Sequence, residues 1–290
     1  MKAFFDLFKL RIGFVIALTA LAGLLVSPGG AGPGAGAATV LVLAVLVSSA
    51  AAGAFNQYYE VDLDRRMRRT RALRFVSGRA RRDPGGWLPL MAALVIASTT
   101  AAWLAANTAA ALFTFLGAFV YAIVYTVWLK RRTWWNIVIG GLAGSFAVLA
   151  GAAAVSPTLS ADALILALVL FLWTPPHFWS LAIAFREDYE AAGVPMLPVV
   201  TGDAVAARAI LVHAIVLVAA SLALALLSPG PLYAACAAAG GMLFIRRAWQ
   251  LYRVPDRPHA MRCFKASLLQ LGVLLIGVML DAGLRSAIAG

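Results

Sequence analysis

The sequence predicts an all-α polytopic membrane protein, and three observations carry that expectation. Of the 290 residues 63% are hydrophobic and only 12% charged, with mean hydropathy +0.89, a balance too apolar for a water-soluble domain of this size. Nine apolar stretches are long enough to cross a bilayer, at about 11–28, 38–59, 87–107, 109–129, 136–156, 162–185, 204–228, 231–251 and 265–287. The third observation is where the charge lies. A net charge of +12 would suggest nucleic acid in a soluble protein, but every Lys and Arg except Arg285 falls in five places: the N-terminus (Lys2, Lys9, Arg11), the 60–86 loop, Lys130 to Arg132, the 186–208 segment and the 246–265 segment. The connections at 27–37, 105–108, 156–162 and 228–231 are nearly bare. By the positive-inside rule the N-terminus and the even-numbered loops face the cytoplasm of a bacterial plasma (inner) membrane. An odd number of spans then puts the C-terminus outside. Membrane lipid is the expected surrounding, and no nucleic-acid partner is expected.

The first stretch follows a short basic region, as a signal peptide would. Residues 27–37 form a Gly/Pro turn rather than a cleavage site, and eight further stretches follow, so the stretch is read as the first span of one domain covering 1–290. Gly/Pro turns also mark the other outer reversals. Cys236 and Cys263 have no CxxC or His–Cys spacing, which suggests neither a disulfide nor a metal site. The two long cytoplasmic loops, 60–86 and 186–203, follow the second and sixth spans, and both open with acids set against arginine. That internal echo is compatible with two related four-helix units and an appended ninth helix. In the fifth span Gly140 and Gly144 form a small-xxx-small face, read as close helix packing that could also let a flat substrate approach the backbone. In the sixth, Pro175 and Pro176 must interrupt the helical hydrogen-bond ladder. Broken backbone at membrane depth is tolerated where it is buried or lines a cavity, so a binding chamber is expected beside that span.

The segment from Asn56 to Thr70 carries most of the chemistry. Asn56, Glu60 and Asp64 recur every fourth residue, about 6 Å apart along one helix face. Carboxylates crowded at the water end of an apolar helix repel one another unless a hard cation sits between them. Mg²⁺ is usually held by one or two carboxylates together with substrate phosphate oxygens. Asn56, Glu60 and Asp64 are therefore expected metal ligands, and Asp62 points roughly opposite, a weaker candidate that could support a ligand from behind or pair in a salt bridge. Among Arg65, Arg66, Arg68, Arg69 and Arg71, most suit anionic lipid heads. Arg69 is singled out, because it lies on the expected continuation of the same element. Arg186, Glu187 and Asp188 open the other long loop, where Asp188 could hold a second Mg²⁺ or orient a diphosphate-binding arginine. Lys130 and Arg131 enter the same face and could contact diphosphate. His177 is either a structural histidine, a base or an iron ligand. His213 and His259 show no partner spacing. Together these residues suit ionisation of an allylic diphosphate in a cavity open to the cytoplasm, with its isoprenoid tail in an apolar chamber. Tyr125, Phe178 and Trp179 offer aromatic faces to the cation.

The segments Asn56 to Thr70, Tyr125 to Arg131, Asn136 to Gly144, Thr174 to Ser180 (Thr-Pro-Pro-His-Phe-Trp-Ser) and Asp188 to Val200 resemble the protoheme IX farnesyltransferases (heme O synthases), within the UbiA superfamily of intramembrane prenyltransferases. The resemblance implies a nine-helix fold around a central cavity, farnesyl diphosphate as donor, and heme b as acceptor through a vinyl group, with water added to give heme O. It implies Mg²⁺ on Asn56, Glu60, Asp64 and Asp188, and diphosphate on Arg69, Arg71, Lys130, Arg131 and Arg186. His177, with Tyr125 and Trp179, falls on the acceptor side, and a heme A synthase is an implied partner. Glu60 stands where the family has aspartate, and Leu73 where it has arginine, which passes that contact to Arg71 or Arg74. Two other readings remain: a prenyltransferase for a quinone precursor or chlorophyll-type ring, and an ion-coupled transporter, which acids among surface arginines suit less well.

Overall fold

The computed structural model describes residues 2–28, 32–73, 75–78, 83–227 and 230–289, and no strand occurs among them. The short α1 (Lys2–Leu7) meets α2 (Leu10–Val26) at Lys9, which takes the left-handed conformation with φ 47°. The Ala-rich α3 (Ala35–Tyr59) ends at Glu60 and is followed at once by α4 (Val61–Arg66). α5 (Pro84–Ala105) starts on the Asp83 carboxylate, which accepts from Gly85 N, and α6 (Thr108–Phe119) starts on Asn107, which accepts from Ala110 N. α6 continues without a break into a π-helix, Val120–Leu129. The fifth apolar stretch is two helices, α7 (Asn136–Gly140) and α8 (Leu142–Val155), divided at Gly141. α9 (Ala161–Ala184) and α10 (Arg186–Ala191) meet at Phe185. α11 (Leu197–Thr201), α12 (Asp203–Ala225), α13 (Pro231–Arg253) and α14 (Arg257–Ala289) complete the chain.

The nine expected spans are met by seven helices long and apolar enough to cross a membrane among the described residues. The expected first span is a helix of 17 residues, Leu10–Val26, and the eighth, α13, carries Arg246, Arg247 and Arg253 in its last two turns. The helices form a ring. α2 packs on α3 and α8, α8 on α6 and α9, α9 on α12 and α14, α13 on α12 and α14, and α14 returns to α2. Glycine makes the tightest crossing possible. A Cβ on Gly151 would lie 1.8 Å from Ala20 O, and one on Gly23 would lie 2.0 Å from Val148 O. Where α13 begins beside α14, the buried Asp281 carboxylate accepts from Tyr233 N at 2.7 Å and Leu232 N at 3.3 Å, satisfying amides that a helix start leaves unpaired.

The echo between the two halves is local and exact in form: a long helix, one break residue, then a six-residue helix with acids in its first turn. The proline pair acts more mildly than expected. α9 continues as one helix past Pro175 and Pro176, although the two prolines remove two amide donors from its ladder.

Candidate active site

Two connected chambers occupy the middle of the ring. The first, about 510 Å³, has Lys9, Asn56, Glu60, Asp64, Arg69, Lys130 and Tyr189 in its wall. The second, about 400 Å³, is almost wholly apolar and includes Ile16, Val45, Phe113, Gly144, Ala147 and His177. Arg11, Tyr121, Gly140, Thr174 and Phe178 belong to both walls and form the neck between them.

Asn56 sits in the last turn of α3, Glu60 at the break and Asp64 on α4, so the four-residue spacing survives the change of helix. All three are buried. Glu60 Oε2 pairs with Lys130 Nζ at 2.5 Å, and Glu60 Oε1 has no hydrogen-bond partner. Burial opposes the charge of Lys130, yet the attraction and hydrogen bond of Glu60, together with Tyr125 and Tyr189, leave the Lys130 pKa raised. Burial pushes the Asp64 carboxyl above the usual range; Lys130 opposes this and Glu60 adds to it. Asn56 Oδ1 accepts from Lys9 Nζ at 2.6 Å, and Asn56 Nδ2 donates to Thr126 Oγ1 at 2.9 Å. The wide turn of the π-helix helps aim its side chains: Lys130 N bonds back to Tyr125 O, Thr126 Oγ1 donates to Tyr121 O, and Tyr121 stacks on Tyr125 at 5.8 Å between centroids. Turns of this kind are frequent at functional sites.

These residues fit a divalent cation shared with a substrate phosphate: one buried orphan carboxylate oxygen, a second carboxylate forced to stay dry, and an amide oxygen already holding a cation. They do not make a cage on their own. Among the described residues no three His, Cys, Asp or Glu side chains converge as a metal site.

The second acidic end supports the first rather than joining its wall. Asp188 Oδ2 accepts from Arg69 N at 3.3 Å, the Tyr189 hydroxyl lies 3.4 Å from Arg69 Nη2, and the guanidinium lies over the Phe185 ring at 5.7 Å. Of the two roles expected for Asp188, a second Mg²⁺ or the orientation of an arginine, this geometry matches the second, a brace on the Arg69 loop. Arg69 itself lies beyond the end of α4, in a turn and not on a helical continuation. Three expected diphosphate residues stand elsewhere. Arg131 makes two 2.9 Å hydrogen bonds to Asp62 on the outer surface, which lower the Asp62 pKa; Arg186 faces Asp203 at 3.5 Å; Arg71 is exposed and outside the chamber wall, whereas Leu73 is in it. Arg74 lies outside the described residues.

On the acceptor side, His177 lines the apolar chamber and Tyr125 the polar one. The His177 ring is stacked between Trp173 at 4.2 Å and Phe264 at 4.5 Å, and Nδ1 lies 2.7 Å from Ser267 Oγ. The Ser267 hydroxyl donates to Phe264 O, so Nδ1 carries the proton and Nε2 is left with its lone pair. Trp179 is not in either wall; it packs edge-on against His213, 5.1 Å between centroids. It faces α12 because position 179 lies on the opposite side of α9 from Thr174, His177 and Phe178. Lys9, Arg11, Gln57, Tyr121 and Tyr189 line the polar chamber without having been singled out. Lys9 and Arg11 read as orientation charges, and only the left-handed bend at Lys9 turns its ammonium inward.

A family model described as the UbiA prenyltransferase family matches residues 16–271, and the chain belongs to that family. Within it, the chain is similar to "Protoheme IX farnesyltransferase 2" of Paramagnetospirillum magneticum, 56% identical over 97% of both chains, and to "Protoheme IX farnesyltransferase 1" of the same organism, 45% identical over 97% of this chain and 98% of the relative. Among solved structures, a digeranylgeranylglyceryl phosphate synthase superposes with TM-score 0.77 at 18% identity, covering 97% of this chain and 98% of its own. A UbiA homolog from Archaeoglobus fulgidus bound to GPP and Mg²⁺ gives TM-score 0.68 at 14% identity, covering 94% and 99%.

Proposed function

We propose that the protein transfers a farnesyl group from farnesyl diphosphate to a vinyl group of heme b, with addition of water, giving heme O and diphosphate. The observation that carries this is the pairing of a polar chamber, holding carboxylates and ammonium groups, with an adjoining apolar chamber that shares part of its wall, in a chain 56% identical to a protoheme IX farnesyltransferase. Asn56, Glu60 and Asp64 would hold Mg²⁺, which when bound supplies positive charge to the departing diphosphate. Lys9, Lys130 and Arg69 stand around the same volume and stabilise the same developing charge. The C1–O bond of the donor breaks, the electron pair leaves with diphosphate, and a vinyl carbon of heme bonds to C1. The cation left on the porphyrin side takes hydroxide from water, and a proton is released. Tyr121 and Phe178 at the neck, with Tyr125 beside them in the polar chamber, present aromatic faces where the allylic cation forms, and the apolar chamber below keeps water from capturing it first. His177, with Nε2 free, stands on the acceptor side. The same reading puts the polar mouth at the cytosolic face of a bacterial inner membrane and makes a heme A synthase the recipient of the product.

Purified protein is incubated with farnesyl diphosphate, Mg²⁺ and heme b, and the porphyrin is weighed by mass spectrometry. A product heavier by a farnesyl group and a hydroxyl is expected. Unchanged heme, with a quinone precursor or chlorophyll-type ring prenylated in its place, would overturn the acceptor assignment.

A further inference from the structure

Gly144 departs from what its motif promised. A glycine in a small-xxx-small pair ordinarily earns its place by letting another helix in close, as Gly23 and Gly151 do where a Cβ would strike backbone at 2.0 and 1.8 Å. Gly140, its motif partner, is under pressure too, with the Tyr125 ring 2.9 Å from where a Cβ would stand. Gly144 meets nothing within 4 Å. Its backbone makes no demand either, since it lies inside α8 and is not among the residues with positive φ. A glycine inside a helix is less favourable than alanine there, so neither packing nor conformation accounts for it. What it borders is the apolar chamber, whose wall also includes the small residues Gly117, Ala118, Ala143 and Ala147.

Resting on the reading of the two chambers as sites for diphosphate and isoprenoid, we propose that the empty volume over Gly144 is the passage for the donor tail and that this residue sets how long a tail the enzyme accepts. Gly140, the last residue of α7, belongs to the neck, and Gly144, in the first turn of α8, lines only the apolar chamber beyond it. A short donor ends near the neck. A longer one must pass Gly144 toward Ile16, Val45, Phe113 and Ala147, which line the rest of the chamber. A side chain at 144 therefore narrows the passage for long donors while leaving the polar chamber as it is.

The test compares dimethylallyl, geranyl and farnesyl diphosphate with wild type, Gly144→Ala and Gly144→Leu, each donor measured as a substrate or, where turnover is absent, as a competitive inhibitor of farnesyl transfer. Gly144→Leu is expected to lower the preference for farnesyl over dimethylallyl by about tenfold or more, the scale on which a pocket resolves methylene groups. Gly144→Ala shifts it in the same direction by less, with a melting temperature no lower than wild type, which keeps the result readable if the leucine variant folds poorly. An unchanged preference in both variants overturns the proposal. So does an equal loss for all donors with a raised KM for heme, which would mean that the acceptor occupies this space. If wild type transfers none of the three donors to heme, the underlying functional reading falls first and this inference with it.

Discussion

Asp64 shows how far single residues here are set for chemistry rather than for stability. Its carboxylate is buried, its pKa is raised, and it lines the polar chamber. A carboxyl whose folded pKa lies above its unfolded value subtracts stability at neutral pH, and the loss is relieved as pH falls toward that pKa. Asp64→Asn keeps the shape and removes the charge. It should abolish farnesyl transfer, by roughly 10²–10³ or more as for loss of one preorganised electrostatic group, while the metal-free protein melts no lower than wild type at pH 7. Near-normal turnover would remove the proposed role, and a large fall in melting temperature would show a structural one. Lys130 gives the opposite case. Among the described residues its ammonium is the only hydrogen-bond partner of the Glu60 carboxylate, so Lys130→Met leaves a buried charge unpaired, a loss of about 3–5 kcal/mol. Mg²⁺ should restore more melting temperature to that variant than it adds to wild type, because a cation then replaces the missing ammonium; equal shifts in both proteins would count against the shared site. At this scale the sequence was most informative where spacing encodes a face. Asn56, Glu60 and Asp64 could be read from their period of four, but Lys9 could not, because the bend that turns it inward is a backbone conformation no side-chain pattern announces.

At the scale of elements, the breaks at Glu60 and Phe185 matter more than the rods they divide. Each follows a long apolar helix with a six-residue helix carrying acids, and Asp188 on one brace holds Arg69 from the loop of the other. Acidic clusters at both loop entrances were visible in the sequence. Which of them faces the chamber was not, since that depends on a turn around residues 67–70 held by contacts some 119 positions apart. The π-helix was equally hidden: its residues are apolar or aromatic but for Thr126, and only the length of the turn distinguishes it from an α-helix. The glycine pattern was half legible. It marked Gly140 and Gly144 as a pair, but the crossing that truly needs glycine is Gly23 with Gly151, in a different helix pair. Gly151→Ala should therefore force α2 and α8 apart and lower stability by about 1–3 kcal/mol, the usual range for overpacking. Thermal melting in detergent checks this, and a variant as stable as wild type would show that the crossing can open without loss.

For the whole molecule, composition settled that the chain is helical and apolar, and the run of basic loops suggested one consistent orientation. The count of spans was less legible, because Leu10–Val26 is short and α13 ends in arginines, so neither reads by length and hydropathy alone as the others do. Orientation follows from a different quantity, the side on which Lys and Arg accumulate, and it has a sharp consequence for the reaction. The polar chamber is lined by Asp6, Lys9, Thr70 and Leu73, at the end of the ring where the basic loops lie, so in the proposed orientation a diphosphate donor made in the cytosol would reach it without crossing the bilayer. Arg68 is exposed beside that mouth, and Thr158 is exposed in the bare connection between α8 and α9. Arg68→Cys should react with a membrane-impermeant maleimide in inside-out vesicles and not in spheroplasts, and Thr158→Cys should do the reverse. The native Cys236 and Cys263 lie within α13 and α14, half-buried and buried, and are poor targets for a reagent confined to water. Labelling of both introduced cysteines from one side would break the alternation of the helices. Exchange of the two patterns would put the mouth on the outer face, where neither the charge distribution nor a cytosolic diphosphate could serve it.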